Sequence, residues 1–286
     1  MKKLHMIFDV DRCNNCNNCV LATNDEYLDN DFPGYSAPQS ATGSPWLSIE
    51  RVEQGSAPLI DIAHVVNTCQ LCANPPCVNA QTKDAVHQRE DGIVIIDPEK
   101  AKGRRDIVAA CPYGQIFWND DLELPQKWTF DAHLLDGGWA QPRASQVCPT
   151  RALTTVFADD DEMKERAERE RLRIKEPKND SRPRFYYKNL DRTDHIFIGG
   201  NLYADIGGQE TCLEAIPVEL WSAGERIAET TTDGFGDFRF ERLKPRPTSG
   251  EVRVRQEAQG DQIVCKFIGL QASQYVGSIE VDLIGT

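Results

Sequence analysis

The first residues with chemical potential are three thiols on one short run, Cys13-Asn14-Asn15-Cys16-Asn17-Asn18-Cys19. An iron-sulfur cubane needs three thiolates on one tight loop and a fourth from elsewhere, and two-residue gaps let the backbone wrap the cluster while its N–H groups reach the sulfides. A second three-point set follows: Cys69-Gln70-Leu71-Cys72, then Ala73-Asn74-Pro75-Pro76, then Cys77. Two isolated cysteines, each before a proline, complete the supply: Cys111-Pro112 and Cys148-Pro149. Buried cysteines packing as small hydrophobes, or a pair of zinc sites content with four thiolates, are the alternatives. A disulfide framework belongs to short secreted chains, whereas close Cys-x-x-Cys spacing in a cytosolic chain points to metal or redox chemistry. Of the ten cysteines only Cys212 and Cys265 lie beyond Cys148, without such spacing, and they read as core or edge thiols. His64, His87 and His133 share the cysteine-rich half but occupy no ligand slot, so outer hydrogen bonding or surface placement is the reading for them. No Gly-x-Gly-x-x-Gly, Walker loop or nucleophile elbow occurs.

The elements that must hold these thiols are short. Residues 1 to about 155 combine Cys, Pro, Asn and Gly with brief apolar runs such as Gly92-Ile93-Val94-Ile95-Ile96-Asp97, which predicts small strands and tight loops around buried inorganic groups. Residues 159–176 open with acids and mix both charge signs at helical spacing, which predicts a solvated helix ended by Pro177. From residue 195, alternating runs such as Ile196-Phe197-Ile198, Val218-Glu219-Leu220-Trp221, Phe238-Arg239-Phe240 and Val252-Arg253-Val254-Arg255 lie between Gly-rich turns, Asp233-Gly234 among them. The expected division is therefore a cluster-binding domain at 1–155, a helical or extended linker at 156–194 and an antiparallel β-sandwich or barrel at 195–286.

Composition narrows the class. The chain has 286 residues, enough for two domains with real cores, and a formal net charge of -13 with no block of five or more lysines or arginines. Phosphate backbones are bound by positive charge, so nucleic acid is not an expected partner. The N-terminus, Met1-Lys2-Lys3-Leu4-His5-Met6-Ile7-Phe8-Asp9, turns acidic before any signal-type apolar run, and no stretch approaches a membrane helix. The expectation is a cytoplasmic protein without a membrane partner.

Residues 1 to about 155 resemble the four-motif iron-sulfur subunits of the dimethyl sulfoxide reductase superfamily of molybdenum and tungsten enzymes. The Cys-Pro pairs are the form that closes a bacterial ferredoxin motif, whose last cysteine ligates the other cluster. The resemblance implies an α+β chain whose N-terminal half is a ferredoxin-like domain of two pseudo-repeated modules. In that family the first three cysteines of motif one join the last of motif four, and the reverse, while motifs two and three exchange last cysteines likewise. Carried over residue by residue, one ligand set has become Thr23, Trp128, Asp131 and Ala144, and another has become Gln81, Ala101, Arg104 and Ile107. Two complete sets survive: Cys13, Cys16, Cys19 and Cys148 for one [4Fe-4S] cluster, and Cys69, Cys72, Cys77 and Cys111 for a second. No set is half filled. Trp128 and Asp131 are expected to occupy the lost cluster's volume by packing and local hydrogen bonds.

Within the superfamily the chain is similar to the small subunits of pyrogallol-phloroglucinol transhydroxylase and resorcinol hydroxylase. The phrases that carry this are Phe32-Pro33-Gly34-Tyr35, Asp97-Pro98-Glu99-Lys100-Ala101-Lys102-Gly103, Cys111-Pro112-Tyr113-Gly114, Ala132-His133-Leu134-Leu135-Asp136 and Tyr186-Tyr187-Lys188-Asn189-Leu190. The resemblance implies a non-catalytic iron-sulfur subunit of a molybdopterin-dependent hydroxylase or transhydroxylase acting on a polyphenol. The large catalytic partner would carry a molybdenum bis-molybdopterin guanine dinucleotide. The other readings are an electron-transfer subunit of another molybdenum or tungsten oxidoreductase, or a scaffold whose clusters only staple loops. The C-terminal part, from Gly200-Asn201-Leu202-Tyr203 to Phe238-Arg239-Phe240, resembles the prealbumin-like β-sandwich, which implies a docking or structural role.

Overall fold

The computed structural model describes residues 2–176, 178, 180–256, 260–267 and 269–282. It is mostly sheet with few and short helices. Two compact units emerge, one from residues 1–51 and 64–190, the other from 52–63 and 191–286.

The first unit is organised by the strand Lys3–Asp9, whose five middle residues, Leu4-His5-Met6-Ile7-Phe8, are all buried. A run buried on both faces reads as continuous apolar sequence rather than as alternation. One edge pairs in parallel with Phe185–Lys188, with Met6 opposite Phe185 and Phe8 opposite Tyr187. The other edge pairs antiparallel with Leu153–Ala158, with Leu4 opposite Phe157 and Phe8 opposite Leu153. The short strand Arg173–Ile174 closes the sheet on the far side of Phe185–Lys188. The segment 156–194, expected as a linker, thus contributes strands to the central sheet. Its members of two to four residues are too short to show a period.

The helix in this segment runs Asp160–Glu170, shorter than the 159–176 expected. Asp159 caps it, its Oδ1 accepting from the Glu162 N–H at 2.9 Å, and Arg171 ends it in the left-handed region at φ 54°. Pro177, the expected terminator, lies outside the described residues. The helix is not solvated all round: Met163 is fully buried against Ile7 and Ala158.

The remainder of this unit is small pieces. The helix Asn18–Tyr27 starts within the first cysteine run. Hairpins join Val86–Gln88 to Val94–Ile96 and Phe117–Asn119 to Leu124–Gln126. Single-turn helices span Pro98–Ala101, Asp106–Ala109 and Arg143–Gln146.

The second unit holds two four-stranded sheets. In one, the strand Ile196–Ile206 pairs with Gln209–Cys212, Asp237–Leu243 and Gln274–Glu280. In the other, Glu225–Thr231, Pro217–Ser222, Gly250–Gln256 and Gly260–Phe267 pair in that order. Ile198, Leu202, Phe238 and Phe240 of the first sheet share one apolar cluster with Val218, Leu220, Val252 and Val254 of the second. The expected purely antiparallel pattern fails at one place, where Gln274–Glu280 runs parallel to Ile196–Ile206. In the Asp233-Gly234 turn the left-handed residue is Gly236, at φ 79°, where a Cβ would press on the Leu202 carbonyl. The tip of the hairpin formed by Leu47–Ser56 and Leu59–Thr68 belongs to this unit because Asp61 pairs with Arg192 at 2.6 Å and Gln54 accepts from Ser273 at 2.7 Å.

His5 lies fully buried in the central strand, and burial, followed by the Arg184 charge, lowers its pKa to about 4. A depressed histidine contributes stability above its unfolded pKa near 6.5 and loses it as pH falls toward the folded value. The first unit should therefore weaken between about pH 6.5 and pH 4, by an amount on the order of 3 kcal/mol. Urea titrations of the wild type and His5→Gln across this range check it: the variant should show the smaller slope with pH.

Candidate metal centres

Strand register explains how Cys148 meets the first cysteine run. Phe8 stands opposite Leu153, and the Asp9 N–H donates to the Ala152 carbonyl at 2.8 Å. The chain leaving Asp9 toward Cys13 therefore runs beside the chain arriving from Cys148. Asn15 and Asn17 take left-handed backbone, at φ 57° and 58°, to turn the loop back before the helix Asn18–Tyr27. Asparagine accepts that conformation more readily than most residues. Cys19 is thereby buried in the first helical turn while Cys16 stays exposed. Cys148 follows the helix Arg143–Gln146, and its Sγ accepts from the Leu153 N–H at 3.5 Å.

The second set begins directly after the strand Leu59–Thr68. Its loop is laced to the chain before Phe185–Lys188: Ala73 N–H donates to the Arg182 carbonyl at 2.8 Å, and Arg184 N–H to the Gln70 carbonyl at 3.1 Å. The Gln70 side chain donates to the Thr68 carbonyl at 2.7 Å and to the Tyr187 hydroxyl at 3.2 Å. Thr82 Oγ1 donates to the Cys77 carbonyl at 2.7 Å. Cys111 ends the segment that begins with the helix Asp106–Ala109, and its Sγ accepts from the Gln115 N–H at 3.4 Å.

The thiols sense one another in two groups. Burial, then the Cys148 and Cys16 thiols, raises the pKa of Cys13. Burial raises Cys19 to about 12, with Cys13, Cys148 and Cys16 adding to it. Burial likewise raises Cys72, assisted by Cys69, Cys77 and Cys111. Cys77 rises to about 12 through burial and then Cys69, and Cys111 rises for the same two reasons. Every thiol acting in these shifts belongs to the same set of four. Such sites are hostile to bare thiolates and need a cationic core to bind all four. Among the described residues no three His, Cys, Asp or Glu side chains close tightly enough to hold a single metal ion.

The four positions Thr23, Trp128, Asp131 and Ala144 are all fully buried. They form a plug. Asp131 Oδ1 accepts from the Tyr27 hydroxyl at 2.9 Å and from Trp128 Nε1 at 3.0 Å, while Oδ2 accepts from the Arg143 N–H at 2.7 Å. The Tyr27 hydroxyl also lies 2.8 Å from Thr129 Oγ1, and the Thr23 hydroxyl donates to the Cys19 carbonyl at 2.9 Å. Burial raises the Asp131 pKa against these bonds. At the other altered set, Ala101 and Ile107 are fully buried in an apolar cluster with Val86, Val94, Ile96 and Leu124. Arg104 spans that site, donating to the Gln81 carbonyl at 2.7 Å and pairing with Asp84 and Asp106 at 3.1 and 2.7 Å.

The histidines stand apart from the thiols' electrostatics. His133 Nε2 lies 2.8 Å from Glu26 Oε1 and its ring stacks on Phe32 at 3.7 Å, His64 is half-buried in a strand, and His87 is exposed. Cys212 is exposed at a strand end and Cys265 half-buried. Sequence reasoning missed Ser181, a fully buried residue whose hydroxyl lies 2.7 Å from the Tyr113 hydroxyl and which lowers the Cys72 pKa against the effect of burial. A lone serine in a polar loop carries no spacing that could mark it.

Residues 60–157 match the 4Fe-4S dicluster domain family. Across 91% of this chain and 92% of the relative, the sequence is 38% identical to the pyrogallol hydroxytransferase small subunit of Pelobacter acidigallici. The chain belongs to the iron-sulfur subunit family of dimethyl sulfoxide reductase-type molybdenum enzymes. Further members include a tetrathionate reductase subunit of Salmonella typhimurium, 28% identical over 65% of this chain and 72% of its own length. The thiosulfate reductase electron transfer subunit of Salmonella typhi is 32% identical over 55% of this chain and 78% of its own.

The plug predicts a structural cost without a metal cost. Tyr27→Phe strips a donor from Asp131 and a partner from Thr129, and should destabilise the first unit by about 1–3 kcal/mol. Thermal unfolding should record that loss, while iron per chain in anaerobically prepared protein stays at the wild-type value.

Proposed function

We propose that this chain is the iron-sulfur subunit of a molybdopterin-dependent hydroxylase or transhydroxylase acting on a polyphenol, with one [4Fe-4S] cluster on Cys13, Cys16, Cys19 and Cys148 and a second on Cys69, Cys72, Cys77 and Cys111. The observation that carries the proposal is the pairing of Lys3–Asp9 with Leu153–Ala158, which runs the Cys148 segment beside the Cys13–Cys19 loop, and the thiols that raise the pKa of Cys13, Cys19, Cys72, Cys77 and Cys111 come in each case from the same set of four. The substrate class rests on the likeness, along nearly the whole chain, to a pyrogallol hydroxytransferase small subunit. The catalytic site and its molybdenum cofactor lie, on this reading, in a large partner subunit, and the assembly works in the cytoplasm.

When bound, each cluster supplies a one-electron couple and a rigid cross-link. The chain's own residues do the rest. Leu153 N–H and Gln115 N–H point at the Cys148 and Cys111 sulfurs, where donated hydrogen bonds stabilise negative charge. Ser181 lowers the Cys72 pKa against burial and so favours its charged form. The second unit, with its two sheets around one apolar cluster, is read as a prealbumin-like docking module. No helix among the described residues is long and apolar enough to cross a membrane.

A second reading, an electron-transfer subunit of a different molybdenum enzyme, is favoured by the likeness to the thiosulfate reductase electron transfer subunit. The two are separated by the purified complex. Anaerobic protein should hold about eight irons per chain and a molybdenum-bearing partner. Cys148→Ala and Cys111→Ala should each halve the iron and remove a different paramagnetic signal on reduction. Zinc in the purified protein, or both signals lost with either variant, would refute the assignment. Clusters that stay oxidised when a phenolic substrate is added, but reduce with another substrate of the partner, favour the second reading.

A further inference from the structure

The second unit holds a cavity of about 190 Å³ lined by Ile227, Arg242, Leu243, Lys244, Arg246 and Leu270. Its apolar part is well covered: Leu270 is 1% exposed, and Ile227 and Leu243 are half-buried. The other three lining residues are exposed cations, and no carboxylate lines the cavity with them. Their backbone is set in advance. Lys244 and Arg246 each precede a proline, Pro245 and Pro247, and a residue before proline is confined to extended backbone. The Arg246 N–H donates to the Leu270 carbonyl at 2.6 Å and the Leu270 N–H to the Thr248 carbonyl at 2.9 Å, which ties one cationic position to the apolar floor. Arg242 belongs to the strand Asp237–Leu243, and its Nη1 pairs with Asp191 at 3.2 Å. Among the described residues no ion pair engages the side chain of Lys244 or Arg246. Three positive charges therefore converge on one apolar hollow in a chain whose net charge is -13.

We propose that this cavity binds a small organic anion with a ring-sized apolar body, an aromatic carboxylate in its simplest form. Size supports the ring, since an apolar cavity of about 150 Å³ already accepts benzene. Charge supports the carboxylate, because arginine offers a planar fork that matches it and lysine adds a point charge. An inorganic anion would leave Ile227, Leu243 and Leu270 facing water, and a neutral ring would leave the cations unanswered. The proline-bracketed backbone lowers the ordering cost of closing on such a ligand. The site lies wholly in the second unit, so it stands whether or not the cluster reading does.

The test is a calorimetric titration of the full chain, prepared anaerobically with whatever partner copurifies. Benzoate should bind one site per chain with a Kd of about 1 mM or below. Acetate and inorganic phosphate, which cannot cover the floor, and benzyl alcohol, which has no charge, should each bind at least about tenfold more weakly. Lys244→Gln combined with Arg246→Gln changes two exposed side chains, and should weaken benzoate about tenfold or more while thermal unfolding and iron content stay at the wild-type values. Absence of saturable benzoate binding would overturn the proposal. So would binding that survives in the double variant, since it would lie elsewhere, on the partner included. Acetate or phosphate binding as tightly as benzoate would also overturn it, leaving an unselective cationic surface, and so would a glutamate-rich peptide binding where benzoate does not.

Discussion

The antiparallel pairing of Lys3–Asp9 with Leu153–Ala158 is the constraint on which the cysteine-rich unit depends. It brings the two ends of a long excursion together, so that residues more than a hundred positions apart enter one site. Each pairing bond is modest, but Leu4, Met6 and Phe8 are wholly buried on this strand, and their burial fixes the register. A slip of one residue would exchange Leu4, Met6 and Phe8 with His5 and Ile7 between two packed faces and carry Cys148 out of step with Cys13. The parallel partner Phe185–Lys188 serves the second set in the same way, since the chain before it anchors the Cys69–Cys72 loop through Arg182 and Arg184.

A cluster is also volume, and on the proposed two-cluster reading the space of the other two must be filled. The two altered sets are filled by different means. Trp128, Tyr27 and Asp131 build a closed polar network in which each buried donor finds an acceptor. Ala101 and Ile107 join an ordinary apolar cluster, with Arg104 holding the rim. A partial replacement would have left a thiol or a carboxylate without a partner at full burial, which is expensive. That cost is a physical reason for ligand sets to change together.

The cysteine runs stand out in the sequence because a cluster dictates residue type and spacing at once. The plug was half legible: Trp128 and Asp131 stood at ligand positions, but Tyr27 and Thr129 complete their hydrogen bonds from places that no spacing rule marks. The strands Arg173–Ile174 and Phe185–Lys188 were hidden by their brevity and by the charged helix before them. Their pairing is decided by Tyr187 and Phe185 meeting the N-terminal strand, a contact at long range. The hairpin tip at 52–63 left its own half of the chain for an ion pair, Asp61 with Arg192, whose partners are each unremarkable in sequence. The parallel placement of Gln274–Glu280 followed no local signal, because a strand's direction is set by its partner.

The plug bears on what the two proposed clusters can do for one another. Electrons move between clusters by steps whose rate falls steeply with distance, and a missing cluster lengthens the step. Trp128 and Tyr27 do not replace it, since an indole or a phenol gives up an electron only at potentials far above those of iron-sulfur couples. Tyr27 is further tied to a carboxylate and to Thr129 in a site where burial raises its pKa well above the usual phenol range. A subunit wired in this way is poorly suited to carrying a steady current out of a partner. Moving a hydroxyl group from one phenolic ring to another requires no net current, since the electrons lost by one ring are gained by the other. On the proposed two-cluster reading, filled sites of this kind suit a transhydroxylase better than a respiratory reductase.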